Sequence, residues 1–223
     1  GIIPGIKVDK GANNLEGFPN EKATSGLDGL DERLAEYYKL GARFAKWRAV
    51  ITIGDDIPTD ACIQANAHSL ARYASKCQQA GIVPIVEPEV LMDGTHTIET
   101  CNNVTSRTLK IVFEQLSMYN VLLEGIILKP NMIISAINCP VQADIEKVAD
   151  MTYACLKENV PENVPGIAFL SGGQNGDLAT SHLRKMNEKY KAMPWNLTFS
   201  YGRALQHDTL NTWKGQNENR KAA

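Results

Sequence analysis

The sequence predicts an α/β protein built as a parallel (β/α)8 TIM barrel, with about six of the eight βα units within its 223 residues. Short apolar runs rich in β-branched residues alternate with long amphipathic stretches, which is the pattern of repeated βαβ units. A polar residue recurs where each apolar run ends, roughly once every 40 residues. We therefore expect residues 1–223 to form a single domain that holds part of a barrel.

Composition narrows the class of protein. Hydrophobic residues make up 43% of the chain and charged residues 22%, as in a globular protein with a substantial core. The net charge of −2 gives no strong field that would favour nucleic acid as a partner. No apolar run is long enough to span a bilayer, so membrane insertion is not expected. Five widely spaced cysteines argue against a disulfide framework and favour a reducing, cytoplasmic compartment.

Six apolar runs are expected to form parallel strands: Ile2–Val8, Phe44–Ile51, Ile82–Glu87, Gly125–Lys129, Gly166–Ser171 and Leu197–Arg203. Six amphipathic stretches are expected to be helices: Asp28–Leu40, Pro58–Ala80, Thr97–Tyr119, Val141–Asn159, Asn175–Tyr190 and, more weakly, Asp208–Ala223. A complete barrel of such units needs roughly 320 residues. We therefore expect about two units to be absent, and to belong upstream, because no strand signal follows the last run.

The ends of the six strands are predicted to converge. In a barrel, the carboxyl ends of all strands meet at one face, where active sites lie. The residues there are Lys7, Lys46, Glu87, Lys129, Ser171 and Arg203, and strand alternation turns them to one side. Each could singly be an ordinary charge at a strand exit, but six in register favour a shared site. A doubly wound open sheet is the alternative, although no G-x-G-x-x-G motif for a dinucleotide follows the first run.

Lys129 is the candidate nucleophile because it ends the apolar run Gly125–Leu128. Burial and a second positive charge from Lys46 both disfavour its ammonium form. A free amine can attack a ketone and form an iminium ion. Glu87 ends another apolar strand and can act as general acid and base, with Glu89 supporting it. The alternatives are a lysine that extends to solvent at the barrel rim and carboxylates that only form salt bridges.

Glycine-rich strand ends favour phosphate binding. Ser171-Gly172-Gly173 and Ser200-Tyr201-Gly202-Arg203 offer backbone N–H groups and a guanidinium at the last two strand ends, the usual phosphate position in barrels. Lys7 and Arg48 can hold a second phosphate across the mouth. A glycine pair alone is more often a simple turn.

No metal or other cofactor is predicted. The four histidines, His68, His96, His182 and His207, fall in predicted helices or loops and show no ligand spacing.

At these positions the sequence resembles the class I fructose-1,6-bisphosphate aldolases. The matching stretches include IVEPE within Gly81–Glu89, LKPNM at Leu128–Met132, SGGQ within Phe169–Gln174 and SYGRAL within Phe199–Leu205, and also Pro4–Gly11, Gly26–Leu30, Phe44–Arg48 and Ala71–Ala74. The resemblance covers nearly the whole chain. It implies a (β/α)8 barrel, usually a homotetramer, that reversibly cleaves fructose 1,6-bisphosphate to dihydroxyacetone phosphate and glyceraldehyde 3-phosphate without a metal, in glycolysis and gluconeogenesis.

The resemblance also implies a role for each site residue. Lys129 would form the Schiff base, Glu87 would be the general acid and base, and Lys46 would lie near the bond that breaks. The phosphate on C1 would be bound by Ser171, Gly172, Gly202 and Arg203, with Gly173 beside them. Lys7 and Arg48 would serve the phosphate on C6. Asp9, Glu89 and Ser200 would support these groups.

The sequence departs from the family in four places. The family's first two strands and its mobile C-terminal tail have no counterpart here, and Ile133–Ala136 stands where the family often has Thr-Pro-Gly. The helix after Gln174 also diverges, outside the expected site. Two other hypotheses therefore stay open. In the first, the chain by itself is an inactive piece of such an enzyme or a scaffold that binds proteins, since relatives bind cytoskeletal and pump proteins. In the second, it is a different sugar-phosphate aldolase.

Overall fold

The computed structural model describes residues 1–223 and contains eight strands: β1 (Gly5–Lys7), β2 (Ala12–Asn14), β3 (Lys22–Thr24), β4 (Phe44–Ile51), β5 (Val83–Val90), β6 (Ile127–Leu128), β7 (Gly166–Phe169) and β8 (Asn196–Phe199). Six of them form one sheet in the order β1-β4-β5-β6-β7-β8, and every pairing in it is parallel. β2 and β3 form a separate antiparallel hairpin. The end strands β1 and β8 each have a single neighbour.

Helices connect the strands of the parallel sheet. They are α1 (Leu30–Lys39), α2 (Asp60–Gln79), α3 (Ile98–Met118), α4 (Ile145–Asn159), α5 (Gly176–Lys189) and α6 (Arg203–Trp213). Short 3-10 helices span Leu123–Gly125 and Asn217–Lys221. The helices α2 to α5 begin where a Thr, Asp or Asn side chain accepts a bond from a free backbone N–H of the first turn. None of the helices combines the length and hydropathy needed to cross a bilayer.

The alternation of strands and helices agrees with the prediction, and the differences lie at the ends of elements. The six predicted strands and the first five helices are present, with shifted bounds. The predicted helix Asp208–Ala223 is wrong, because α6 already begins at Arg203 and ends at Trp213. Lys214 and Gly215 follow with φ of 52° and 72°, a left-handed conformation that ends the helix. Arg203 therefore lies in the first turn of a helix, and the last strand ends at Phe199.

The core lies between the sheet and the helices that cover one of its faces. On β4, Ala45, Trp47 and Ala49 are fully buried, whereas Lys46 and Arg48 between them remain partly exposed. This period of two is the one that a strand imposes on its side chains. One face of β4 thus packs against helices and belongs to a cluster of 36 buried hydrophobic residues. The other face carries the polar side chains.

Tyr73 on α2 links two of the strands that carry candidate site residues. Its side chain is fully buried, and its hydroxyl donates to the carbonyl oxygen of Ala45 at 2.7 Å and lies 3.2 Å from that of Ile85. Substitution Tyr73→Phe is expected to lower the free energy of unfolding by about 1–2 kcal/mol, because a buried carbonyl loses its donor. Urea denaturation measures this. Tyr37→Phe is the control, since that hydroxyl has no protein partner, and an equal change in both variants would contradict the prediction.

Candidate active site

Three charged side chains from neighbouring strands meet at the carboxyl edge of the sheet. Glu87 on β5 lies between Lys46 on β4 and Lys129, the residue that follows β6. The Nζ atom of Lys46 is 2.7 Å from Glu87 Oε2, and the Nζ atom of Lys129 is 3.2 Å from Glu87 Oε1. The side chain of Glu87 is 4% exposed, that of Lys129 12% and that of Lys46 21%. The two lysines therefore share one buried carboxylate.

Strand register explains why these residues meet. Lys46 is paired with Ile85, two positions before Glu87, so both side chains leave the same face of the sheet. The backbone N–H of Lys129 donates to the carbonyl of Val86 at 2.7 Å, which continues the ladder between β5 and β6 by one residue. The side chain of Lys129 consequently reaches the carboxylate on the neighbouring strand.

The charges in this cluster are not balanced. One carboxylate faces two amines, which leaves a surplus positive charge for an anionic ligand to neutralise. Glu87 Oε2 is buried and lies 2.7 Å from the Nζ atom of Lys46, so the carboxylate is held between two amines. A carboxylate in this position can exchange protons with a bound molecule.

A second charged cluster lies beside the first. Asp9 accepts from the Nζ atom of Lys7 at 2.5 Å and from the backbone N–H groups of Gly11 and Arg48 at 3.1 Å and 3.2 Å. The Nε atom of Arg48 is 2.5 Å from the carboxylate of Glu89. Burial of Arg48 works against its charge, but the hydrogen bond and charge of Glu89 outweigh this and raise the pKa of Arg48. Lys7 and Arg48 are thus both cationic candidates that already have carboxylate partners.

A glycine turn follows β7. Gly172 and Gly173 have φ of 60° and 84°, and the backbone N–H of Gln174 donates to the carbonyl of Ser171 at 3.0 Å. Residues other than glycine rarely adopt such φ values. Next to the turn, Gly202 precedes α6 and Arg203 is its first residue, with no salt bridge to its guanidinium.

A cleft of about 1020 Å³ joins the glycine turn to the start of α6. Ser171, Gly173, Gln174 and Arg203 are among the residues that line it. Ser200 is not among the residues that line this cleft. Its backbone N–H donates to the carbonyl of Phe169 at 2.9 Å and continues the pairing of β8 with β7. The adjacent Tyr201 hydroxyl is buried without a partner, and burial raises its pKa to about 12.

The predicted site residues thus fall into three groups. The first is the cluster of Lys46, Glu87 and Lys129, the second is the cluster around Asp9, and the third lies at the glycine turn and the start of α6. Sequence reasoning missed the contact behind the turn between Gln174 Oε1 and Nδ1 of His182, which lie 2.7 Å apart. Two polar side chains eight positions apart carry no recognisable motif. His96 is also buried at both ring nitrogens without a partner, and burial lowers its pKa. No group of three or more His, Cys, Asp or Glu side chains is arranged to hold a metal ion.

The fold and the site define a protein of the (β/α)8-barrel class with lysines gathered around a carboxylate at the strand ends. The family "Fructose-bisphosphate aldolase class-I" matches residues 1–223. The chain belongs to that family, as the resemblance indicated, and the barrel prediction is confirmed over the doubly wound alternative.

Similar proteins come from bacteria, plants and a protozoan. A probable fructose-bisphosphate aldolase class 1 of Xanthomonas axonopodis pv. citri (strain 306) is 60% identical over 213 residues, which are 96% of this chain and 64% of that protein. Cytosolic fructose-bisphosphate aldolase 5 of Arabidopsis thaliana is 53% identical over 98% of this chain and 61% of that protein. A solved structure of the Plasmodium falciparum aldolase, in complex with TRAP and a small molecule inhibitor, has a TM-score of 0.96 and 52% identity over 99% of this chain and 64% of that one. The chain therefore spans slightly less than two thirds of the length of these relatives.

Proposed function

We propose that the protein reversibly cleaves fructose 1,6-bisphosphate to dihydroxyacetone phosphate and glyceraldehyde 3-phosphate through a Schiff base on Lys129. The observation that carries this proposal is the Lys129 amine, 3.2 Å from a buried carboxylate that also faces Lys46, in a chain of the class I aldolase family. The Lys129 amine is thus placed beside a carboxylate that can take up the proton the amine releases when it adds to a ketone.

The proposed reaction uses Glu87 repeatedly for proton transfer. The Lys129 amine adds to the C2 ketone, and loss of water leaves an iminium ion. The iminium accepts the electron pair of the C3–C4 bond as that bond breaks, which yields an enamine and releases the aldehyde. Glu87 accepts the C4 hydroxyl proton and exchanges protons in the dehydration steps, since its buried carboxylate lies between the amines of Lys46 and Lys129. Lys46, on the other side of this carboxylate, lies near the bond that breaks.

Two phosphate positions complete the proposal. Ser171, Gly172, Gly202 and Arg203 bind the phosphate on C1, with Gly173 shaping the turn and Ser200 holding the end of β8. Arg203 supports this role because its guanidinium has no carboxylate partner. Lys7 and Arg48 bind the phosphate on C6, and the carboxylates of Asp9 and Glu89 hold these two cations in place until the phosphate arrives.

Assembly and location are proposed from the family. We propose that residues 1–223 act as one domain of a cytoplasmic homotetramer that works in glycolysis and gluconeogenesis, needs no cofactor and has cytoskeletal partners. Two cytosolic aldolases of Arabidopsis thaliana, 50% and 53% identical to this chain, support the location.

Borohydride trapping tests the Schiff base. The full-length protein is incubated with dihydroxyacetone phosphate and then reduced with sodium borohydride, which converts an iminium to a stable amine. We expect one adduct per chain, mapped to Lys129 by peptide mass spectrometry. Glycerol 3-phosphate is the control, because it carries the phosphate without a ketone. An adduct on another lysine, or none, would contradict the mechanism. Parallel assays with fructose 1-phosphate distinguish a different sugar-phosphate aldolase.

A further inference from the structure

Behind the glycine turn lies a buried hydrogen-bond relay that has no part in the proposed chemistry. The side-chain Nε2 of Gln174 donates to the carbonyl of Ser171 at 2.9 Å, and the backbone N–H of Gln174 donates to the same oxygen at 3.0 Å. The Oε1 atom of Gln174 is 2.7 Å from Nδ1 of His182 on α5. Gln174 and His182 are 7% and 3% exposed.

The relay determines where each hydrogen lies. The carbonyl of Ser171 can only accept, so the amide nitrogen of Gln174 must face it and the amide oxygen must face His182. Because that oxygen is also only an acceptor, Nδ1 of His182 must carry a hydrogen and donate it. The second ring nitrogen, Nε2, is buried without a partner. Burial lowers the pKa of His182, which agrees with a neutral ring protonated at Nδ1.

The turn is also tied to the segment of Lys129. The backbone N–H of Leu170, immediately before Ser171, donates to the carbonyl of Pro130 at 3.2 Å, and Pro130 immediately follows Lys129. A phosphate bound at the turn is therefore held at a defined distance from the Lys129 amine. This hydrogen bond joins backbone atoms and does not involve Gln174 or His182, so it keeps the end of β7 beside the Lys129 segment whether or not the relay is intact.

We propose that His182 and Gln174 are positioning residues: His182 donates through Nδ1 to Gln174, which locks the Ser171–Gly173 turn in the shape that binds the substrate phosphate. The proposal rests on the proposed function of this turn. Gln174 lines the cleft and His182 lies behind it, and both act by shaping the turn. Their effect is on phosphate affinity, and the lysine chemistry proceeds unchanged once substrate is bound.

Four variants of the full-length protein test the relay. His182→Leu removes the donor, His182→Asn keeps an amide donor near the Nδ1 position, and Gln174→Glu keeps the shape but turns an oxygen toward Ser171. His68→Leu is the matched control, because His68 on α2 is a half-buried histidine whose ring contacts the hydroxyl of Tyr119 on another helix. Cleavage of fructose 1,6-bisphosphate gives KM and kcat, and competition by inorganic phosphate gives its inhibition constant.

We expect His182→Leu to raise both KM and the phosphate inhibition constant by about tenfold, while kcat changes by less than about twofold. Gln174→Glu is expected to have at least this effect, and His182→Asn and His68→Leu to stay near wild type. If His182→Leu does not fold, the comparison of Gln174→Glu with wild type decides. An unchanged KM in a folded variant, or equal losses in His182→Asn and His182→Leu, would overturn the relay. A wild-type protein with neither cleavage nor phosphate inhibition would instead show that the proposed function is wrong, and the positioning role of His182 and Gln174 would then be wrong as well.

Discussion

Replacement of Lys129 by methionine is expected to lower kcat for cleavage of fructose 1,6-bisphosphate by at least about 10⁴-fold. Methionine has a similar length and no amine, so neither the iminium nor its electron-withdrawing effect can form. The folded state should persist, because Glu87 keeps Lys46 as its partner at 2.7 Å and the cluster becomes neutral overall. Steady-state kinetics and borohydride trapping measure the loss.

Lys76→Met is the matched control for this variant. Lys76 also pairs with a carboxylate, that of Asp31, but on α2 and away from the strand ends. We expect kcat of Lys76→Met to stay within about twofold of wild type, as for a surface ion pair. If Lys129→Met kept more than about 1% of the wild-type kcat, Lys129 would not be the residue that forms the Schiff base.

Replacement of Glu87 by glutamine is expected to have two effects, one on rate and one on stability. The rate should fall by about 10²- to 10⁴-fold, because an amide cannot accept the protons that the reaction releases. The free energy of unfolding should also fall, by about 2–4 kcal/mol, because both lysines lose their only anion. This is less than the loss of a fully buried pair, since Lys46 and Lys129 keep some contact with solvent.

Glu21→Gln is the control for Glu87→Gln, because Glu21 is a buried carboxylate without a proposed catalytic role. Glu21 is 3% exposed and accepts from the backbone N–H and the hydroxyl of Thr59, at 2.8 Å and 2.6 Å. This variant should also lose stability but keep its kcat within about twofold. Equal losses of kcat in both glutamine variants would attribute the effect of Glu87 to packing. Retention of full activity by Glu87→Gln would assign proton transfer to another group.

Local patterns predicted the order of the parallel strands and of the first five helices. Apolar runs bounded by glycine, proline and capping residues predicted all six parallel strands, because strand formation and helix capping depend on neighbours in sequence. The same patterns failed after β8. The predicted strand Leu197–Arg203 ends at Phe199, a helix begins at Arg203, and the hairpin of β2 and β3 has no counterpart among the predicted elements. α6 has no buried residue, so no strong hydrophobic period marks it.

Which site residues form ion pairs with each other could not be predicted from local sequence patterns. Alternation along each strand indicated that Lys46, Glu87 and Lys129 turn to one side, but not that one carboxylate would be shared by two amines. Arg48 was expected to be available for phosphate, and it is paired with Glu89. Such pairings depend on the register of parallel strands, where a shift of a single residue turns each side chain to the opposite face.

Fold class, family and the set of candidate site residues follow from consecutive residues, because period, capping and motif are local properties of the chain. Contacts between those residues follow only from the folded arrangement: Glu87 between two lysines, Lys7 and Arg48 with their carboxylates, and Gln174 with His182 behind the glycine turn. The physical reason is that hydrogen bonds and ion pairs act over about 3 Å, and only the packing of strands and helices brings residues distant in sequence within that range.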